Sequence, residues 1–333
     1  MDRRSFLGAL PPLLAGCAPL VQSRGEPPAG FTGPRLEEGA FVSFDGARLP
    51  MSVWPAEPEA EPWAVIVGLH GMNDYAEAFT LAAPVWAQAG IATYAYDQRG
   101  FGRGPNRGVW AGRELMAEDL RTFTSTLRRR HPKAVLAVVG ESMGGAVAID
   151  AFSSNRPPDA DRLALIAPAV WGWDSQPLHY RTTLWLGART LGGFEVSAPR
   201  SVMKRIRASD NIEHLIRMGR DRNLIFRTRI DAIYGLVDLM QTAMVSVGRI
   251  QRPPPVLYCY GRNDEIIPEK PSFFAARQLR PGDRSAYYPG GWHMLTRDLQ
   301  GEAVSRDIAA FIADAKAPLP SGAPPIPAAP RTL

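Results

Sequence analysis

The sequence predicts an α/β fold in which a mostly parallel sheet is covered by helices on both faces. Apolar runs typical of strands buried on both faces alternate with segments of helical periodicity along much of the 333 residues. Residues 171–250 break this alternation, because they are helix-like with Gly and Pro breaks and hold no strong strand run. Such a segment is too long for an ordinary connection between strands. We therefore expect a helical cap over the carboxyl edge of the sheet, where open α/β sheets bind ligands.

The elements before the cap follow from periodicity. Alternating apolar and polar residues on either side of Asp45-Gly46 predict a β-hairpin. Four continuous apolar runs then predict buried strands, and the segments between them have helical spacing. The strands are WAVIVGLHG, IATYAYD, AVLAVVG and RLALIAPAV, and the helices include AEAFTLAAPVWAQAG and RELMAEDLRTFTSTLRRRH. Residues 34–170 thus form the first part of the predicted core.

The alternation resumes after the cap, over residues 251–315, as the second part of the core. Strand PVLYCYG is followed by helix PEKPSFFAARQL, strand SAYYP and helix RDLQGEAVSRDIAAFIADA. The last segment, residues 316–333, is rich in Pro and Ala. Because such a composition cannot build a helix or a sheet core, we expect this tail to be disordered.

Composition narrows the classes of function. The formal net charge is only +5, and the chain has no lysine-rich tract or zinc-finger spacing, so we expect no nucleic-acid partner. The histidines lack metal-ligand spacing, and we predict neither a metal nor a cofactor. Of the two cysteines, Cys259 lies in a strand-like apolar run and is interpreted as a small buried apolar residue.

The amino terminus has the layout of an export signal, with a basic start, an apolar stretch and a small-residue cleavage region. Arg3-Arg4-Ser5-Phe6-Leu7 resembles a bacterial twin-arginine signal. Leu14-Ala15-Gly16-Cys17 resembles a lipobox, in which cleavage precedes a cysteine that is then lipidated. We expect a signal peptide at 1–16, a flexible tether at 17–33, and a lipoprotein anchored through Cys17 on the periplasmic side of the cell envelope. The alternative is an ordinary apolar leader with an incidental cysteine.

Ser142 is the candidate nucleophile. The predicted strand AVLAVVG enters the turn GESMG, and the helix GGAVAIDAF leaves it, which is the strand–turn–helix context of a nucleophile elbow. Gly140 and Gly144, two residues before and after the serine, relieve crowding in such a turn. The alternative is a serine in an ordinary glycine-rich bend, and the flanking strand and helix favour the elbow.

A serine nucleophile needs a base, and the base needs an acid to orient it. His293 lies in a glycine-loosened loop after the last predicted strand, where a base could reach Ser142. The other histidines are interpreted differently. His131 is at a surface helix end, His179 and His214 are in the cap, and His70 is at the end of the first buried strand.

The acid is expected after the next-to-last strand, where Asp264 stands three residues beyond Gly261. Its neighbour Glu265 is the competing candidate, and the Gly-x-x-Asp spacing favours Asp264. The resulting chain order, nucleophile then acid then base, is the order found in α/β-hydrolases.

An oxyanion hole requires two N–H groups that point at the developing negative charge. One should come from Met143, directly after the nucleophile. The other should come from Met72, in the loop after the first buried strand.

Five motifs, in their order along the chain, resemble the monoacylglycerol lipase/lysophospholipase-like branch of the α/β-hydrolases, of serine aminopeptidase S33 type. The resemblance covers about residues 38–315. The motifs are LHGMNDY, YDQRGFGRG, GESMGG, YGRNDEIIP and GGWHM, with a helical insertion before the acid. The resemblance implies an α/β-hydrolase fold with Ser142 as nucleophile, Asp264 as acid, His293 as base, and Met72 and Met143 as main-chain oxyanion donors.

One turn and two single residues within these motifs bear on the expected roles. Asp97-Gln98-Arg99-Gly100 matches a family turn with a structural role, so Asp97 and Arg99 are excluded from catalysis. Glu141 and Phe101 stand where family members often have His. These departures affect the expected substrate preference more than the mechanism.

The resemblance implies a serine ester hydrolase that acts through an acyl-enzyme on monoacylglycerols, lysophospholipids or other acyl esters. A small-ester carboxylesterase, a thioesterase or a peptidase of the same fold stays open, because fold and triad do not select the acyl or leaving group. A different class is a non-catalytic lipid-binding lipoprotein of the envelope. The oligomeric state is left open.

Two features of the cap have alternative interpretations. Its tryptophans and leucines could line an acyl pocket or pack the cap onto the core. From Arg200 to Arg229, nine Lys and Arg stand against three Asp and Glu. This segment could meet anionic lipid headgroups or be an ordinary solvated helical face.

Overall fold

The computed structural model describes residues 18–58, 61–197, 206–251 and 254–328. The expected signal peptide and Cys17 lie outside these residues. The main sheet consists of β1 (Arg35–Glu37), β2 (Ala40–Val42), β3 (Arg48–Trp54), β4 (Ala64–Leu69), β5 (Ile91–Tyr96), β6 (Val135–Glu141), β7 (Arg162–Ile166), β10 (Val256–Gly261) and β11 (Arg284–Tyr288). A separate two-stranded sheet in the cap consists of β8 (Glu195–Val196) and β9 (Thr228–Arg229).

The nine-stranded sheet has the order β1-β2-β3-β5-β4-β6-β7-β10-β11. Its first pairs, up to β3 with β5, are antiparallel, and every pair from β5 to β11 is parallel. The predicted hairpin is β2 with β3, in which Phe41 pairs with Leu49. The predicted mostly parallel sheet is confirmed.

Helices cover both faces of this sheet. They are α1 (Ala83–Gln88), α2 (Arg113–Arg130), α3 (Met143–Phe152), α4 (Leu178–Thr190), α5 (Ile212–Met218), α6 (Ile230–Met244), α7 (Glu269–Ala276) and α8 (Gly301–Ala313). Phe123 of α2 and Phe152 of α3 belong to the core on one face. Trp86 of α1 and Phe311 of α8 belong to the core on the other. Strands such as β4, in which every residue is buried, lie between two apolar layers and therefore read as continuous apolar runs.

One predicted helix is shorter than expected. The segment AEAFTLAAPVWAQAG forms a 3-10 turn at Ala76–Phe79 and a separate α1 that begins at Ala83. Pro84 lies in the first turn of α1, where its missing N–H and fixed φ favour starting a helix rather than continuing one.

The cap lies between β7 and β10 and contains α4, α5, α6 and the β8-β9 ladder. Helix α6 packs its buried face on α3, next to the core. Helix α4 instead has one buried residue, Ala188. Large apolar side chains on and beside α4 are exposed to solvent: Leu178, Tyr180, Trp185, Leu186, Leu191 and Phe194.

Both chain ends of the described region contact the core. In the segment expected to be a flexible tether, Gln22 N–H donates to Trp110 O at 2.9 Å, and its side chain donates to Val109 O at 2.7 Å. The expectation of disorder for the tail does not hold over residues 316–328. Tyr287 N–H of edge strand β11 donates to Pro324 O at 2.7 Å. A proline-rich chain cannot form its own ladder, but its carbonyls accept from an unpaired strand edge.

Among the described residues, no helix combines the length and the apolar character that crossing a bilayer requires.

Candidate active site

Ser142 lies in the turn between β6 and α3, at φ 52° and ψ −118°. This backbone region is sparsely populated for residues other than glycine. The turn is held by Ser142 N–H, which donates to Ile166 O of β7 at 2.9 Å. The nearby glycines are needed, because an ideal Cβ on Gly144 would lie 2.1 Å from Leu69 O, and one on Gly140 2.7 Å from Gly144 O.

The structure brings the three predicted triad residues together. His293 Nε2 lies 3.0 Å from Ser142 Oγ, and His293 Nδ1 lies 2.8 Å from Asp264 Oδ2. The His293 side chain is only 6% exposed and that of Asp264 is fully buried. Each residue follows the carboxyl end of a parallel strand, so three distant chain segments converge at one edge of the sheet.

Asp264, rather than Glu265, faces the base. Its Oδ1 accepts hydrogen bonds from the N–H groups of Ile266 and Ile267, at 2.8 and 2.9 Å, which leaves Oδ2 for His293. Glu265 points elsewhere and accepts from Arg207 N–H at 2.6 Å.

The surroundings of His293 shift its pKa upward. Burial is the largest single effect and lowers the pKa, because it disfavours the charged imidazolium, but the nearby carboxylates, first that of Asp264 at hydrogen-bond distance, together raise it by more. Glu141 adds to the upward shift and Arg297 opposes it. In the neutral tautomer with its proton on Nδ1, Nε2 is free to accept the Ser142 hydroxyl proton.

The expected oxyanion donors flank the nucleophile. Met143 is the first residue of α3, so its N–H has no intrahelical partner and lies at the positive end of the helix. Met72 follows Gly71, whose ideal Cβ would be 3.3 Å from Ser142 Cβ. The loop that carries Met72 therefore passes directly beside the serine.

None of the other four histidines, all of them in the described part of the chain, forms a hydrogen bond with Ser142. His70 is fully buried; its Nδ1 lies 2.8 Å from Gly71 O, and its Nε2 accepts from Gln98 N–H at 2.9 Å. His131 Nε2 lies 3.0 Å from the hydroxyl of Tyr94. His214 lies in α5 of the cap and His179 in α4.

The turn at residues 97–100 is held by ion pairs rather than exposed to a ligand. Arg99 donates to both carboxylate oxygens of Asp45, at 2.7 and 2.8 Å, and of Asp119, at 2.6 and 2.8 Å. Asp97 pairs with Arg103 at 2.9 Å. Neither Asp97 nor Arg99 contacts the triad through these bonds, which agrees with the structural interpretation of the turn.

Sequence reasoning left Glu141 unassigned and missed two residues around it. The Glu141 carboxylate pairs with Arg297, whose guanidinium also donates to Asp74 at 2.7 Å. Burial raises the pKa of Glu141, and the Arg297 guanidinium opposes that shift. Arg297 lies outside the five motifs, and the motif that contains Asp74 does not indicate its partner, because the contacts of Arg297 with Glu141 and Asp74 span 156 and 223 positions in the chain.

The site contains no evident metal centre. In the part of the chain that the structure describes, no three His, Cys, Asp or Glu side chains are grouped so as to hold a metal ion. The Cys259 thiol is fully buried in β10, and burial raises its pKa to about 12, so it is not a thiolate.

This geometry occurs in a chain whose residues 60–300 match the family described as serine aminopeptidase, S33. The chain belongs to this family. It is an α/β-hydrolase and a serine hydrolase of carboxylic esters, in agreement with the branch that the five motifs indicate.

Several known proteins are similar to it. The monoacylglycerol lipase of Mycolicibacterium smegmatis is 27% identical over 286 residues, which cover 83% of this chain and 96% of that protein. The crystal structure of Paleococcus ferrophilus monoacylglycerol lipase has a TM-score of 0.66 at 20% identity, covering 79% of this chain and 98% of that one. A thermostable carboxyl esterase from Bacillus coagulans, solved with glycerol, has a TM-score of 0.68 at 19% identity, with coverage of 85% and 99%. The solved structures share the fold.

Proposed function

We propose that this protein hydrolyses the ester bond of monoacylglycerols through an acyl-enzyme on Ser142. The observation that carries the proposal is the continuous hydrogen-bonded chain from Ser142 Oγ through His293 to the buried Asp264 carboxylate. The proposed substrate class is supported by the similarity to monoacylglycerol lipases over most of the chain.

The reaction follows from this geometry. As Ser142 Oγ attacks the ester carbonyl carbon, His293 Nε2 takes the hydroxyl proton, and Asp264 stabilises the imidazolium that forms. The carbonyl oxygen becomes an oxyanion and accepts from the N–H groups of Met72 and Met143. His293 then gives the proton to the departing glycerol alkoxide, which leaves an acyl-serine. A water molecule, deprotonated by His293, attacks this ester, and His293 returns the proton to Ser142 Oγ as the fatty acid is released.

An apolar groove on the cap, outside the triad, offers a surface suited to contact with acyl chains. The groove has a volume of about 510 Å³ and is lined by Trp173, Leu178, Arg181, Thr182, Trp185, Leu186 and Tyr234. Trp173 and Tyr234 form an aromatic pair with ring centroids 5.2 Å apart. Apolar area of this kind is the usual lining of a lipid site.

The proposal is tested with the mature domain, a fluorophosphonate probe and a panel of esters. We expect covalent labelling of the wild type, no labelling of Ser142→Ala, and hydrolysis of 1-monooleoylglycerol in preference to lysophosphatidylcholine and to p-nitrophenyl acetate. Labelling that persists in Ser142→Ala would exclude the nucleophile. Asn155, exposed beyond the carboxyl end of α3, offers a neutral control variant, Asn155→Ala, which should be labelled like the wild type.

A small-ester carboxylesterase is the second candidate, and the similarity to the Bacillus coagulans carboxyl esterase favours it. The same panel separates the two, since that enzyme class would prefer the acetate ester. A non-catalytic lipid-binding lipoprotein would show neither labelling nor turnover.

We also propose that the mature protein is anchored to the cell envelope by lipidation of Cys17, after export through the twin-arginine-like signal. The described chain beginning at residue 18 supports this arrangement. Pro19 and Val21 line a surface groove together with Tyr234 of the cap, and Tyr234 also borders the apolar groove of α4. The described chain just after the proposed lipidation site thus lies near the apolar groove of α4, and two weak membrane contacts together give stable attachment.

Expression of the full precursor in a bacterium tests the anchor. We expect the wild type in the membrane fraction and Cys17→Ala in the soluble periplasmic fraction. Cys259→Ala is the matched control and should behave like the wild type. Equal membrane association of Cys17→Ala and the wild type would contradict the proposal.

A further inference from the structure

A second cluster of ionised side chains lies buried behind the triad. Arg297 Nη1 donates to Asp74 Oδ2 at 2.7 Å, and Arg297 Nη2 donates to Glu141 Oε1. The three side chains are 2%, 9% and 2% exposed for Arg297, Asp74 and Glu141. Buried charges of this kind are costly unless each is paired, so removing one partner leaves an uncompensated charge. The reaction described above uses none of the three.

Each member of this cluster belongs to a different loop of the active site. Glu141 directly precedes the nucleophile Ser142, Asp74 is two residues beyond the oxyanion donor Met72, and Arg297 is four residues beyond the base His293. The cluster therefore joins the elbow, the oxyanion loop and the base loop at a single guanidinium.

Local hydrogen bonds fix the loops where they meet the cluster, so a displacement of the cluster would also displace the loops. Asp74 N–H donates to Gly71 O at 3.3 Å, and Asp74 Oδ1 accepts from Tyr75 N–H at 2.8 Å. Arg297 N–H donates to Met294 O at 2.7 Å, which closes a turn directly after the base. A shift of Arg297 would move the base relative to both the nucleophile and the oxyanion donors.

We propose that Arg297 is a positioning residue for ester hydrolysis, which holds the nucleophile, base and oxyanion loops in register through Glu141 and Asp74. Glu141 has a second role in the same assembly, as a negative charge that acts on the base. The inference rests on the proposed esterase function and concerns residues that touch no reacting atom.

Arg99 is an example of a buried arginine with a purely structural role, because its partners lie outside the active-site loops. Arg99 is also buried between two carboxylates, those of Asp45 and Asp119, with side chains 6%, 1% and 1% exposed. Its hydrogen bonds join the β2–β3 turn, the 97–100 turn and α2, but none reaches an active-site loop. Arg99 therefore provides a matched control for the loss of a buried bridging guanidinium.

The charge of Glu141 gives a readout that packing alone would not change. The charged groups that act on His293 are Asp264, Glu141 and Arg297. The titratable groups that face the rest of the cluster are His70 after β4, His214 on α5, and Asp298 beside Arg297. In Glu141→Gln the base loses one nearby negative charge, while Arg297 keeps Asp74 as a partner. The pKa of His293 should then fall, and the acidic limb of the activity profile should move to lower pH.

The first experiment compares Arg297→Met with Arg99→Met in the mature domain, using turnover of 1-monooleoylglycerol and the rate of fluorophosphonate labelling. Both variants should have a lower Tm. We expect Arg297→Met to lose kcat and labelling rate by about 10- to 100-fold, with KM changed by less than about threefold, because misplacement affects the transition state most. Arg99→Met should keep the kcat of its folded fraction. Equal kcat for the two variants would overturn the proposal.

The second experiment measures the pH profile of Glu141→Gln, which also serves if Arg297→Met does not fold. We expect the midpoint of the acidic limb of kcat/KM to fall by roughly half to one pH unit. An unchanged midpoint would remove the electrostatic role of Glu141, and unchanged kcat in a folded Asp74→Ala, which has no side-chain oxygen to accept from Arg297, would remove the positioning role. A wild type that is neither labelled nor active would instead contradict the proposed function itself.

Discussion

At the scale of single residues, hydrogen bonds maintain the strained backbone conformation of Ser142. A non-glycine residue at positive φ costs of order 1–3 kcal/mol and persists only where the surroundings determine it. Here the Ser142 carbonyl accepts from Ala146 N–H at 3.1 Å and Ala169 N–H at 2.9 Å, while its N–H donates to Ile166 O. Both backbone groups of the serine are therefore fixed, and Oγ is presented to His293.

The upward pKa shift of His293 predicts the pH dependence of activity. The base works only when neutral, so kcat/KM falls on the acidic side as His293 gains a proton. Because its pKa is raised above the ordinary 6.5, the midpoint of this limb should lie above pH 6.5. Initial rates on a soluble ester from pH 5 to 9, with stability checked at each pH, measure the midpoint. A midpoint at or below 6.5 would contradict the assigned effect of Asp264.

Residue types and spacing were enough to nominate Ser142, Asp264 and His293, because each follows a predicted strand in an order specific to one fold. The Arg297 cluster could not be nominated in this way. Arginine and aspartate are common on surfaces, and only the folded sheet brings Arg297, Asp74 and Glu141 together.

At the scale of elements, the elbow depends on the close approach of α3 to β4. Gly144 in the first turn of α3 faces the Leu69 carbonyl, and an ideal Cβ on Gly144 would lie 2.1 Å from the Leu69 oxygen. Both partners are main chain, Leu69 at the end of the central strand β4 and Gly144 in the first turn of α3, so neither can move aside as a side chain would. The backbone of the turn, more than its side chains, thus fixes where the serine lies.

Gly144→Ala should therefore lower the free energy of unfolding by about 3 kcal/mol, the upper part of the usual range for overpacking, and abolish activity in any folded fraction, because the clash is with backbone. Gly187→Ala in α4 is the matched control, since its nearest neighbour, Ile230 Cγ2, is 3.4 Å away. Alanine is the better helix former by up to about 1 kcal/mol, so this control should keep or raise Tm. Thermal unfolding of both variants is the measurement, and a Gly144→Ala protein as stable as the control would contradict the model of the elbow.

The type of an element was predictable from sequence where its periodicity was strong. The residues at which elements begin and end were not predictable. The buried strands read as continuous apolar runs because both faces of the sheet are covered. The helix predicted before Gly90 is interrupted between Phe79 and Ala83, just before Pro84, a local effect that apolar periodicity does not indicate.

At the scale of the whole molecule, the carboxyl-terminal tail belongs to the core on one face of the sheet. Leu319 is 6% exposed and packs in the same cluster as α1 and α8. Ser321 N–H donates to Asp307 Oδ1 at 2.8 Å, which fixes the tail against α8. Composition alone predicted disorder, because it does not show that a neighbouring strand and helix provide partners for a proline-rich chain.

Leu319→Ala should lower the free energy of unfolding by about 2–3 kcal/mol, the usual cost of truncating a buried leucine. Leu299→Ala, at a residue 75% exposed, should change it by less than about 0.5 kcal/mol. Urea unfolding monitored by tryptophan fluorescence measures both. Equal unfolding midpoints for the two variants would show that the tail does not contribute to the core.

The tail along β11 also bears on how molecules of this protein meet each other in solution. An uncovered edge strand is a template on which a second chain can add by main-chain pairing. Here the Tyr287 N–H already donates to Pro324 O. The tail that covers the strand contains Pro320, Pro324, Pro325 and Pro327, which have no N–H to donate to a further strand. The sheet is terminated on this side by a segment that cannot be extended. Removing it would expose a ready surface for aggregation.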